Sequence, residues 1–196
     1  MAIKVHLAQR PEANELLGRS PLAALIGMLL DQQIPMEWAF SGPYTIAERL
    51  GTGDLDAAEI AAQDPERFTA VLSEKPAVHR YPGSMAKRVQ QLCHYIVEHY
   101  GGDAEAIWRD VDSGKELFKR LNALPGYGKQ KAQIFVALLG KQYGVRPEGW
   151  REAAGDYGEE GSRRSVADIT GPDSLAEVRA FKQEMKAAAK AAKAPK

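Results

Sequence analysis

The stretch Leu124-Pro125-Gly126-Tyr127-Gly128-Lys129-Gln130-Lys131-Ala132 constrains the fold of this chain more than any other. It lies between two segments that read as helices. Ser113-Gly114-Lys115-Glu116 has capping-box spacing and opens a helix running to about Leu121. The second helix starts near Gly128, and its run Ile134-Phe135-Val136-Ala137-Leu138-Leu139 is apolar on every face, as in a buried helix. Between them Pro125 fixes one backbone torsion, and the two glycines allow conformations closed to other residues. The pattern predicts a helix-hairpin-helix unit over about residues 113–140. Its free amides and the positive end of the second helix point the same way and form an anion site, with Lys129 and Lys131 beside it. A nucleic-acid phosphate, bound without reading a base, fits that site. Gly126-x-Gly128 lacks the third glycine and preceding strand of a dinucleotide fingerprint, and the Gly-Lys-Ser/Thr ending of a P-loop. A plain helix–helix connection that needs glycine has the same local pattern.

The rest of the chain also reads as helix. Ser20 is an N-cap with Pro21 at the first helical position, and Leu22, Leu25, Ile26, Leu29 and Leu30 follow at helical spacing. A second helix is expected over Met36 to Leu50, interrupted or bent near Gly42-Pro43. Asp54 and Asp64-Pro65 start short helices at about 54–62 and 65–73. A long helix covers about 83–100, and a shorter one about 104–111. No segment alternates as a strand does, so the fold class is all-α. Residues 144–161 are rich in Gly, Glu and Arg and read as irregular. A last helix begins near Pro172-Asp173-Ser174, where Ser174 and Glu177 again have capping-box spacing. The end of the chain, from Met185, is basic Ala/Lys. It reads either as a frayed helix end or as a tail adding salt-sensitive DNA affinity.

Composition narrows the classes. At 196 residues the chain can bury a core as one domain or two small lobes. The single cysteine, Cys93, excludes an internal disulfide, a cysteine-rich zinc site and a four-cysteine iron–sulfur cluster. No His spacing suggests a metal. With 26 basic and 26 acidic residues the net charge is zero, which argues against extensive wrapping by nucleic acid but not against a local patch. No apolar run could span a membrane and no signal-peptide region is visible, so a cytoplasmic, monomeric protein is expected.

Leu-Pro-Gly-x-Gly followed by Lys and Ala resembles the hairpin of the helix-hairpin-helix (HhH-GPD) DNA glycosylase superfamily. Two further segments share the resemblance in order and spacing. Leu29-Leu30-Asp31-Gln32-Gln33 is similar to the helix end from which a glutamine enters the gap left by a flipped base. Tyr81-Pro82-Gly83-Ser84-Met85-Ala86-Lys87-Arg88-Val89 is similar to the segment before a long helix that lies between the other two. The resemblance spans roughly residues 18 to 144. It implies a two-lobed helical fold, with a domain over 19–144 and a smaller lobe formed by 145–196 together with 1–18. It also implies a double-stranded DNA partner and a small member of the superfamily without an iron–sulfur cluster. No organic cofactor is implied, though family hairpins often hold a monovalent cation.

The implied DNA contacts are Gln32, Gln33, Lys87, Pro125, Gly126, Tyr127, Gly128, Lys129, Gln130 and Lys131. Read from the residues alone, Gln33 extends the apolar stripe and equally suits an amide capping a helix end. Family chemistry rests on an aspartate about eighteen to twenty residues beyond the hairpin, which stabilises the cationic sugar as the base leaves. Eighteen residues beyond Gln130 stands Glu148, and twenty beyond stands Trp150. The nearest aspartate, Asp156, requires an insertion. Asp156 is the preferred catalytic carboxylate and Glu148 the reserve, with Asp31 beside Gln33 as a third; each also suits an exposed acid. The lysine of strand-cleaving members is replaced by Gln130, and the glutamate of adenine glycosylases by Met28, so a monofunctional enzyme is expected. Base stacking needs aromatic surfaces, with Trp38, Trp150 and Tyr157 as the choices. The alternative is an inactive relative that binds damaged or distorted DNA.

Overall fold

The structure is a computed structural model describing residues 3–194. Among these, ten α-helices follow one another: α1 (Pro11–Arg19), α2 (Pro21–Leu30), α3 (Met36–Leu50), α4 (Ala57–Ala62), α5 (Pro65–Ser73), α6 (Pro82–Tyr100), α7 (Gly114–Asn122), α8 (Lys129–Gln142), α9 (Trp150–Ala153) and α10 (Pro172–Lys193). Single 3₁₀ turns lie at Ala104–Ile107, Gly155–Gly158 and Val166–Asp168. The sole β feature among the described residues is an isolated parallel bridge between Ser113 and Glu148. The chain is therefore all-α.

Helix α2 is the central element because it has no polar face. Every residue from Leu22 to Leu30 is buried. Its start is capped by the Ser20 hydroxyl, which accepts the Ala23 amide at 3.1 Å. It packs on α3, while α1 lies on α3, α4 and α5 lie on α6, and α7 and α9 lie on α8. One buried cluster joins these layers and includes Val5 and Leu7 near the start, Phe40, Phe68 and Phe135 in the middle, and Val178 of α10. Cys93 sits within it, and burial pushes its thiol up to about 12.

Several local expectations are corrected. α3 runs without a break through Gly42-Pro43; a Cβ at residue 42 would press on Leu30 and Val78, so the glycine serves close packing of α2 on α3. The helix expected over 104–111 is a single 3₁₀ turn, after which the Trp108 ring packs against Phe135 at 5.8 Å. Ser113 caps α7 by accepting the Glu116 amide at 3.1 Å, but Glu116 turns to Arg120 rather than back to the cap. Ser174 stands inside α10, its hydroxyl accepting the amides of Thr170 and Gly171, and Glu177 pairs with Arg163.

The segment after α8 is folded rather than irregular. Trp150 lies directly on Gly140, where any side chain would collide with the ring. The Gln142 amide donates to the carbonyls of Val166, Ala167 and Ile169. Lys141 pairs with the buried Asp168 carboxylate at 2.6 Å, which also accepts the amides of Arg164 and Ser165. These bonds hold residues 164–169 against the end of α8, while the Gln130 and Gln133 amides hold Tyr157 and Ala153 nearer its start.

Candidate functional site

The end of α2 and the start of α8 meet, and both are polar where they meet. α2 stops at Leu30, and the chain turns through Asp31–Ile34 with Gln33 in the left-handed region at φ 61. That conformation is costly for a residue with a side chain. The turn is held from beneath. The Gln32 amide donates to the Leu29 carbonyl at 2.8 Å and its oxygen accepts from Arg88 at 3.1 Å. His79 accepts the Tyr81 amide on Nδ1, so Nε2 carries the proton and donates to the Gln32 carbonyl at 2.9 Å. Burial holds the His79 pKa below its ordinary value, in keeping with that neutral tautomer. Gln33 itself is exposed at the tip, off the buried stripe it was expected to extend.

The hairpin closes by a bond from the Tyr127 amide to the Leu124 carbonyl at 3.0 Å. Its two glycines differ. Gly126 has φ 84, and a Cβ there would collide with Leu29. Gly128 has φ −72 and ψ 177, open to any residue, and a Cβ there would meet nothing within the chain. The conformational argument therefore holds for Gly126 alone. Tyr127 is core: its hydroxyl donates to the Leu25 carbonyl at 2.6 Å and its ring meets Phe135 edge-on. Pro125 is half-buried, while Gly126, Gly128, Lys129 and Gln130 are exposed. No side chain caps the first turn of α8.

A cleft of about 820 Å³ opens beside this junction. Asp31, Gln32 and Gln33 line it from the α2 turn, and Gln130 and Lys131 from α8. Asp156 and Tyr157 line it from the 3₁₀ turn, with Lys182 and Met185 from α10. The Gln130 amide donates to the Tyr157 hydroxyl at 3.0 Å, joining α8 to that turn. The cleft thus gathers Asp31 and Asp156 on the side of Gln130.

Other expected residues lie elsewhere. The Glu148 carbonyl accepts the Gly114 amide at 2.7 Å, which fixes this exposed acid beside α7, outside the cleft lining. Trp150 is core, packed on Gly140 with Arg151 over its other side. Trp38 donates to the Ala77 carbonyl at 2.9 Å and faces His79, again outside the cleft lining. Lys87 borders a shallow hollow between α5 and α6. Its neighbour Arg88, turned by about 100° on the helix, is the one that reaches Gln32.

Burial governs the charges. It raises the Asp31 pKa above the usual carboxylate value, against the opposing pull of Lys182 and Lys131. It lowers Lys131 to about 8, against the pull of Asp31. The Lys131 ammonium donates to the carbonyls of Met28 and Leu29 at 2.8 and 3.2 Å, so it caps the negative end of α2. For a monovalent cation the hairpin offers main-chain carbonyls, and those of Leu121 and Leu124 already accept turn amides.

Arg88, His79, Lys182 and Met185 were not singled out as site residues from the sequence. Helical phase could have separated Arg88 from Lys87, but the approach of α10 to the cleft has no local signal. The chain matches no protein-family model, and no curated protein or solved structure matches it either.

Proposed function

We propose that this protein is a monofunctional DNA base-excision glycosylase with the two-lobed HhH-GPD arrangement, acting as a monomer on duplex DNA. One observation carries the reading: the cleft that places Asp31 and Asp156 beside Gln130, next to the uncapped start of α8. The amides of that first turn and Lys129 hold a phosphate of the backbone. Gln33, propped by Gln32, His79 and Arg88, fills the place of an extruded base. The base enters the cleft against Tyr157.

Hydrolysis breaks the C1′–N bond, and its electron pair leaves with the base. The Asp156 carboxylate stabilises the cationic sugar and takes a proton from the water that attacks C1′. Asp31, half-buried at the α2 turn, is the second carboxylate of the cleft and the group placed to exchange a proton with the departing base. The product is an abasic site. Strand cleavage needs an amine that can attack C1′. Gln130 cannot supply one and the Lys131 amine is engaged by the end of α2, so Lys182 and Lys186 at the rim of the cleft are the amines that would act if breaks appear without alkali.

A second reading, an inactive protein that binds distorted DNA, draws on one feature: Asp156 is exposed on a single 3₁₀ turn. Base release from duplexes carrying uracil, hypoxanthine, alkylated purines, oxidised bases or mismatches separates the two. Strand breaks seen only after alkali identify a monofunctional glycosylase and its substrate. Breaks without alkali mean a lyase, and binding without release across the panel means the inactive protein.

A further inference from the structure

Helix α10 is the longest in the fold, yet from Gln183 onward every described residue is exposed. Its charges are nevertheless sorted. At about 100° per residue, Arg179, Lys182, Lys186, Lys190 and Lys193 fall within an arc of about 80°. Glu177 and Glu184 fall on the opposite side. The root of this face is anchored to the body: Arg179 pairs with Glu37, and the Lys182 amine lies 3.5 Å from the Met36 sulfur. Lys182 and Lys186 line the cleft, so the cationic face starts at its rim and runs outward. Among the described residues, no salt bridge uses Lys186, Lys190 or Lys193.

We propose that α10 is a second DNA contact, laying its lysine face along the phosphate backbone on one side of the cleft. This rests on the reading of the cleft as a DNA site. The partner follows from charge: a row of unpaired amines on one face, with no apolar stripe between them, matches a line of phosphates rather than a membrane or a protein groove. Lys182 to Lys193 spans eleven residues, about 16 Å of helix at about 1.5 Å per residue. Duplex DNA rises about 3.4 Å per base pair, so the face covers about five base pairs. The contact is one-sided, because α10 leaves the cleft in a single direction.

The test replaces Lys186, Lys190 and Lys193 together by Gln, which keeps helix propensity; circular dichroism checks the helix. Binding is read by anisotropy on duplexes bearing a tetrahydrofuran abasic analogue, with flanks of unequal length on either side. The full-length protein should bind more tightly when one particular flank is extended by about five base pairs, and the triple variant should lose that preference. Its salt slope should fall by about 2.7, three contacts at about 0.9 each. An unchanged slope and length preference overturns the proposal, as does a loss equal on all duplexes, which would be a diffuse charge effect. Tighter binding by the variant also overturns it, making α10 a strap that competes with DNA. If the unmodified protein binds no duplex, the cleft reading and this proposal fall together. If binding needs an open Gly128 but ignores the three lysines, only this proposal falls.

Discussion

One wall of the cleft is formed by the α2 turn and α8, and its half-buried groups Gln32 and Lys131 are tied down, while Gln33 and Gln130 are exposed. Lys131 is held by two carbonyls, Gln32 by the Leu29 carbonyl and by Arg88, and the turn itself by His79. The facing wall is formed by the 3₁₀ turn at Gly155–Gly158 and by α10. Asp156 there is exposed, and Met185 keeps half of its surface in solvent at 51%. On the glycosylase proposal, the difference reflects what each wall would do. A wall whose groups are desolvated and bonded holds a fixed geometry without reorganising, which suits positioning a backbone and a wedge. A wall of long, exposed side chains adapts its shape, which suits admitting more than one base.

The sharpest way to break this comparison is to remove one carboxylate from each wall. Asp156→Asn should lower single-turnover base release about 100- to 1000-fold, the size expected when a charge-stabilising group is lost, with DNA affinity kept. Asp31→Asn should cost less, no more than about 100-fold, the low end for a positioned acid or base. The reverse order would mean that the buried wall carries the charge stabilisation.

The hairpin offers a second test, in stability. Gly126→Val should cost about 3 kcal/mol, combining backbone strain at positive φ with overpacking against Leu29. Gly128→Ala should change stability by less than about 0.5 kcal/mol. Urea denaturation of both variants checks this, and equal losses would mean that the two glycines share one structural role.

Lys131 sharpens the contrast in burial. Its folded-state pKa of about 8 lies below the ordinary 10.5, so between those values the unfolded chain holds more protons than the folded one. Lys131 should therefore add stability as pH rises across that window, by about 3 kcal/mol, read as the difference between the unmodified protein and Lys131→Met. The difference isolates Lys131, because burial raises the pKa values of Cys93, Tyr127 and Tyr143, whose contributions to stability fall over the same range. A difference between the two proteins that stays constant with pH would show that the amine is not desolvated.

The smallest expected effect is at the wedge. Gln33→Gly relieves about 1 kcal/mol of left-handed strain but adds a similar entropy cost, so stability should move by less than about 0.5 kcal/mol. The preference for an abasic-analogue duplex over an intact one should nevertheless fall. A preserved preference would remove Gln33 from the wedge role.

What the sequence determined by itself is local. The Ser20 cap and the apolar faces of α2 and α8 follow from short-range spacing, as does the Pro-Gly turn between α7 and α8, and all are in place. Asp31 and Gln33 could be picked out because they flank those signals, whereas Asp156 and Tyr157 follow only from the family resemblance; all four line the cleft. What lay beyond local spacing was set by packing between distant segments. The Lys131 amine finds carbonyls 102 and 103 positions earlier in the chain, and Trp150 turns inward because Gly140 leaves room for its ring. Glu148 and Asp156 are both acids of one Gly-rich stretch, and a count along the chain points to Glu148, the one outside the cleft lining. Only the fold-back through α9 sends Asp156 to the cleft and leaves Glu148 beside α7, because side-chain direction depends on which surfaces bury together.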